Sequence, residues 1–249
     1  MLKYKLGWIK DKKDERDTIY KLPAKDVALP PAVSLVPNCP PVYDQGQLGS
    51  CTANAIAAAI EFERIKQALA DWTPSRLFIY YNERDMEGTT DQDSGAEIRD
   101  GIKSVNAQGD CPETEWPYDI TQFAVKPPDS CYTDAVKYEV LQYQRINDGD
   151  IEAMKACLAS GYPFVGGITV YSNFPMDTSS GKVPMPNPMA TAEGGHAILF
   201  AGYDDKKKVF IFRNSWGTVW GNLGYGTLPY SYLSNPNLAS DFWTIRLTE

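Results

Sequence analysis

The stretch CTANAIAAAIEFERIKQALA, residues 51–70, contains neither glycine nor proline. It is rich in alanine and places Ile56, Ile60 and Leu69 near helical spacing, which predicts a helix over about Cys51–Leu69, buried at its start. Upstream, five prolines between Leu29 and Pro41 exclude helix and force extended chain. Downstream, Pro74–Asp85, Ser94–Ala107 and Ile151–Ala159 read as further helices. Leu77, Phe78 and Tyr81 share a face of the first, with Pro74 in its opening turn, and Ile98, Ile102 and Val105 share a face of the second. After residue 160 the apolar period falls to two or the runs become continuous. Phe164–Tyr171, His196–Tyr203, Val209–Asn214, Gly224–Leu228 and Phe242–Leu247 read as strands separated by Gly, Asp and Asn turns.

Helices followed by antiparallel strands imply an α+β fold, a helical lobe packed against a sheet lobe with a cleft between them. Residues 1–28 read as an extension. Residues 29–249 read as the domain proper, divided at about 40–138 and 139–249. Hydrophobic residues at 43% and aromatics at 12% suffice for a full core. The balance of 24 Lys+Arg against 32 Asp+Glu, a net charge of −8, excludes a nucleic-acid footprint. The basic runs Lys12–Lys13 and Lys206–Lys208 are read as solvated surface. No apolar run is long enough to span a membrane, and the opening MLKYKLGWIKDKKDERD lacks the pattern of a secretory leader. The cytoplasm is the default expectation, with non-classical export left open, and a monomer is expected.

His196 is the single histidine, which excludes any zinc site built on two imidazoles. The five cysteines, Cys39, Cys51, Cys111, Cys131 and Cys157, form no C-x-x-C pair, so neither a metal nor a cofactor is expected. Cys51 alone opens a long helix, where unpaired amides and the helix dipole favour a thiolate over a thiol. Position alone leaves it readable either as a nucleophile or as a small buried hydrophobe. Its context, YDQGQLGSCTANA, tips the balance. Gln45 precedes it with Gly46 and Gly49 between, so a folded loop brings a side-chain amide beside the Cys51 N–H, and two converging donors suit an oxyanion. His196 sits in EGGHAILFAGY, and Asn214 follows in FRNSWGTVWG on the next expected strand, placed to orient the imidazole.

With these residues assembled, the chain resembles the papain-like cysteine peptidases, and within them the bacterial xylellain-like branch. QGQLGSC, GGHAILFAGY and NSWGTVWG match the family's three motifs in order. His196 follows Cys51 by 145 residues and Asn214 by 163, near the family's usual spacing of about 130–150. The resemblance covers roughly residues 29–249. It implies Cys51 as nucleophile, His196 as acid and base, Asn214 as its orienter, and Gln45 with the Cys51 N–H as oxyanion hole. It implies a lowered Cys51 pKa, with Trp216 shielding the His196–Asn214 bond and Trp220 packing. In DSGAEIRDG, Ser94 and Gly95 would pair with an extended peptide substrate. Gly195 lies beside His196, Gly166 or Gly167 would line the specificity pocket, and Ser240 or Asp241 would reach its floor.

The departures are local. Leu48 and Thr52 replace a cysteine and a tryptophan flanking the nucleophile, and neither change removes a catalytic group. Cys131 lies roughly where the family has a half-cystine, with Cys111 as a candidate neighbour, and reduced thiols are expected. The 28-residue extension is too short for a separate domain. It carries Trp8 and is expected to pack across or near the cleft. Two other classes fit the scaffold, a binding module with a blocked cleft and a thiol acyltransferase of transglutaminase type. The first is disfavoured because no catalytic group is missing, and the second by the Asn-Ser-Trp segment and the Gln loop.

Overall fold

The computed structural model describes residues 4–22, 28–176 and 180–248. The elements, in chain order, are β1 (Trp8–Ile9), β2 (Ala32–Ser34), α1 (Cys51–Lys66), α2 (Arg76–Glu87), β3 (Ala96–Glu97) and α3 (Ile98–Gln108). Then come α4 (Asp129–Ala135), β4 (Val140–Ile146), α5 (Ile151–Ala159), β5 (Phe164–Tyr171), β6 (Ala192–Asp204), β7 (Val209–Arg213), β8 (Tyr225–Pro229), α6 (Tyr230–Leu233) and β9 (Ala239–Thr248). The fold is α+β with two lobes.

The long helix forms where its composition demands, and residues 51–64 of it are all buried. Through residue 60 only Thr52 and Asn54 are polar, so no face of this stretch suits water and it has to be enclosed. Its alanines let α2 and α3 approach on one side and the sheet on the other. It ends at Lys66 rather than Leu69 because Ala68 takes a left-handed conformation, φ 54°, while the Leu69 amide returns to the Arg64 carbonyl at 3.0 Å. In α2, Ser75 caps the N-terminus by accepting from the Phe78 amide, so Pro74 lies outside the helix, in a bridge with Pro112.

Ser94–Glu97 is the larger departure from the helical expectation. Gly95 has φ 75°, and Ala96–Glu97 are extended as β3, pairing with β1 of the N-terminal segment. The proline-rich stretch is extended at β2 and then closes a single 3₁₀ turn at Val36–Asn38.

The main sheet is antiparallel in the order β4-β9-β5-β6-β7-β8, with β2 added against β6. Period-two alternation along β6 divides the core. Ala197 and Leu199 face α1, whereas Ile198 and Phe200 face a second core with Phe164, Phe210, Phe212, Phe242, Trp216 and Trp220. All five cysteines are free thiols. Cys111 and Cys131 are neighbours in a small apolar cluster with Phe78 and Ala135.

Candidate active site

Four expected site residues converge where α1 meets β6 and the segment after β7. Cys51, Gln45 and His196 are fully buried and Asn214 nearly so. The β6–β7 hairpin brings His196 and Asn214 together, with Nε2 of the imidazole 2.7 Å from Asn214 Oδ1. That oxygen also accepts from the Ser215 amide at 2.9 Å, which fixes the orientation of the Asn214 amide group. An oxygen can only accept, so Nε2 carries the imidazole proton and Nδ1 is left as a base. Nδ1 is buried with no hydrogen-bond partner among the described residues. Trp216 lies over the ring, centroids 4.7 Å apart at 25°, and Trp220 meets Trp216 edge-on.

Gln45 is held from both ends. Its Oε1 accepts from Ser215 Oγ at 2.6 Å, and its Nε2 donates to the carbonyls of Leu48 at 2.9 Å and Lys5 at 3.0 Å. Leu48 and Thr52, the two departures from the family motif, serve packing and a buried bond: Leu48 is core, and Thr52 Oγ1 donates to Glu83 at 2.6 Å.

The N-terminal segment crosses all of these groups as a strap. Tyr4 stacks on Trp216 with centroids 4.4 Å apart, the Lys5 carbonyl meets Gln45, and the Lys5 ammonium pairs with Asp93. Gly7 is extended between two edges, its amide donating to the Gly195 carbonyl at 3.0 Å and its carbonyl accepting from the Ala96 amide at 2.8 Å. The fit is close enough that a Cβ on Gly7 would lie 1.8 Å from the Gly49 carbonyl oxygen. The Trp8 indole covers Gly167 and Gly195, and a Cβ on Gly167 would strike its ring at 2.0 Å.

Of the expected wall residues, Gly95 touches Gly7, while the backbone pairing with the strap is made by Ala96 and Glu97. Ser94 bonds Thr89 Oγ1 and the Gly95 carbonyl. Gly166 faces Phe242 and Phe200 in the core. Ser240 pairs opposite Gly167 and is buried, and Asp241, also buried, accepts from the Asp11 amide at 2.8 Å.

Coverage decides the electrostatics. Burial pushes the Cys51 thiol up to about 12, against the opposing pull of the Ala197, Gly7 and Thr52 amides on its sulfur. Burial likewise pulls His196 down to about 4, with the Asn214 bond opposing. Under the strap the pair is a neutral thiol and a neutral imidazole, because desolvation outweighs the helix-start effect that implied a lowered thiol pKa. Among the described residues, Cys111, Glu115 and Cys131 have ligand atoms within 4.8 Å of one another. Burial raises both of these thiols, opposing the thiolates that a metal would need.

Beyond the cleft the strap is locked by charge. Asp11 accepts from the Arg99 amide at 3.1 Å and Trp243 Nε1 at 2.8 Å, beside Asp241 and Arg145. Asp17 pairs with Arg99 and Arg145, and Lys12 with Glu97. Burial, with Asp241 next, lifts Asp11 to about 7, and burial lifts Asp241 to about 6, with Asp148 adding to it and Arg145 and Lys10 opposing. Raised carboxylate values mean that the seated strap takes up protons. The contribution of Asp11 and Asp241 to the lock is therefore fully present below the ordinary carboxylate pKa of 3.8 and is lost as pH rises from there through about 7, apart from the ion pairs of Asp17 and Glu97. Cys51 labelling by a thiol reagent should thus be similar in the parent and in Asp11→Asn near pH 4 and faster in the parent at pH 7. An unchanging ratio would contradict the lock.

A family model, described as papain family cysteine protease, matches residues 36–240. The crystal structure of xylellain, a cysteine protease from Xylella fastidiosa, superposes with a TM-score of 0.93 at 47% identity, covering 100% of this chain and 98% of that one. An uncharacterized peptidase C1-like protein of Acanthamoeba polyphaga mimivirus is 43% identical over 96% of this chain and 86% of its own length. Cathepsin B-like CP3 of Giardia intestinalis is 30% identical over 76% of this chain and 64% of its own. Procathepsin B of Trypanosoma congolense, at 18% identity and a TM-score of 0.78, shares the fold. The chain belongs to the papain family of cysteine proteases and is a cysteine-type peptidase.

Proposed function

We propose that Cys51 is the nucleophile that hydrolyses an extended peptide, with His196 as acid and base, Asn214 as its orienter, and Gln45 with the Cys51 N–H as oxyanion hole. The observation that carries this reading is a backbone carbonyl, that of Lys5, lying in the cleft on Gln45 Nε2 beside the His196–Asn214 pair. The donor is already aimed at the kind of oxygen that would acquire charge.

Gly7, held between Gly195 and Ala96, is the pattern for an extended substrate backbone, and its neighbour Trp8 marks the pocket over Gly167 and Gly195. When the strap leaves, water returns to the pair and Nδ1 of His196 takes the Cys51 proton. The thiolate attacks the carbonyl, and the imidazolium protonates the departing amine. The imidazole then activates water to release the acyl group.

On this reading the strap is an intramolecular inhibitor, and the protein acts as a monomer. An epoxysuccinyl peptide should alkylate Cys51, as located by peptide mass spectrometry. Gly7→Ala, which cannot seat against Gly49, should raise the labelling rate by about 10-fold or more, since reactivity scales with the open fraction. Labelling at another cysteine would remove Cys51 from the role, and an unchanged rate would remove the strap from its role.

A further inference from the structure

Lys5 meets the cleft twice. Its carbonyl accepts from Gln45 Nε2 at 3.0 Å, and its ammonium reaches the Asp93 carboxylate, with side-chain exposures of 44% and 13% for the two partners. If Gln45 serves the oxyanion, the Lys5 carbonyl stands where the cleaved carbonyl of a substrate would stand. Asp93 is then within reach of the side chain that belongs to that carbonyl.

The carboxylate is held ready. It lies in the turn between α2 and β3, and its Oδ1 accepts from the Gly49 amide at 3.0 Å and from the Tyr80 hydroxyl. The same hydroxyl accepts from the Gly95 amide at 3.2 Å. These bonds tie Asp93 to the loop that precedes Cys51 and to the wall on which Gly7 lies. The turn is clamped from within, because the buried Arg84 guanidinium donates to the carbonyls of Thr90 and Gln92 at 2.8 and 2.9 Å. With two donors on Oδ1, the acceptor left for the cleft is Oδ2, and Oδ2 is the atom that takes the Lys5 ammonium. When the strap leaves, this mostly buried carboxylate loses its cation. A substrate that brings an ammonium or guanidinium restores the pair, whereas a neutral side chain leaves the carboxylate uncompensated.

We propose that Asp93 is a specificity-determining residue, selecting peptides in which Lys or Arg supplies the cleaved carbonyl, and that Lys5 is the strap's stand-in for that residue. The inference rests on the reading of Cys51 and Gln45 given above. It adds a charge requirement to a cleft whose other contacts with the strap are backbone bonds and aromatic packing.

The test uses the full chain carrying Gly7→Ala, and fluorogenic peptides that differ only at the residue whose carbonyl is cleaved: Lys, Arg, norleucine or Glu. Norleucine keeps the lysine stem without its ammonium. The kcat/KM for Lys and Arg should exceed that for norleucine by about 5- to 10-fold, the size of an ion pair with one partner largely out of water. Glu should be the poorest. Because both peptides meet the same fraction of open chains, their ratio is independent of how far the strap has left. Asp93→Asn keeps an oxygen for Gly49 and Tyr80 and deletes the charge, and should bring the Lys to norleucine ratio to about 1. Raising KCl from about 0.05 to 0.5 M should compress the ratio while Asp93 is present. Equal rates on the Lys and norleucine peptides, a preference that survives Asp93→Asn, or one that salt does not move would each overturn the proposal. A variant slowed equally on both peptides, with the ratio intact, would mark Asp93 as structural only. If Asp93→Asn fails to fold, the ratio before substitution and its salt dependence decide. Cys51→Ala run in parallel separates the two levels. If it still cleaves the peptides the site reading itself fails, and if cleavage needs Cys51 but ignores the charge of the residue, only this inference fails.

Discussion

Cys51→Ala is expected to lose about 10⁵-fold or more of peptide turnover, because the residues of a catalytic nucleophile–base unit act together and removing one forfeits the covalent route. His196→Ala should cost a similar factor, and no second imidazole exists anywhere in the chain to replace it. The double variant should be hardly worse than either single one. Folding should survive, since Cys51 is the first residue of α1, wholly enclosed, and alanine is the best helix former. Melting temperature and turnover therefore have to be measured on the same preparations. Hydrolysis at the parent rate by a folded Cys51→Ala protein would refute the assignment.

Gln45→Ala is expected to reduce kcat by about 100- to 1,000-fold with little change in KM, the usual consequence of removing one oxyanion donor. The same side chain also holds the Lys5 carbonyl of the strap. A single substitution should therefore produce effects of opposite sign, with peptide turnover falling while the full chain exposes Cys51 more readily to an epoxysuccinyl peptide. Loss of the bonds to Ser215 and Leu48 alone would loosen the loop without that divergence. A Gln45→Ala protein that turns over peptide at the parent rate would exclude the amide from the oxyanion hole.

The residues that converge in the cleft were legible because each announces itself locally. A cysteine opening a glycine-flanked helix, a lone histidine after two glycines and an asparagine at the end of the next strand need only short-range pattern. The strands from Phe164 onward are likewise encoded in alternation, and β5 and α5 have the bounds that periodicity predicts. Ser94–Glu97 reads as helix in isolation because its partner, Trp8–Ile9, lies far upstream, and a two-residue parallel pairing leaves no periodic trace. The same is true of β4, which is stabilised by pairing with β9 rather than by its own mixed composition.

The sequence alone determined the class of chemistry, the helices α1, α2, α3 and α5, the strands from Phe164 onward and the four groups brought together in the cleft, since motif spacing and apolar period are properties of neighbouring residues. Tertiary structure decided the ionisation state and accessibility of those groups. Whether Cys51 is a thiolate or a thiol depends on the competition between helix-start amides and desolvation, and the outcome rests on Tyr4, Gly7 and Trp8 arriving from the other end of the chain. Burial is a sum over contacts from the whole molecule, so no local stretch of sequence contains it.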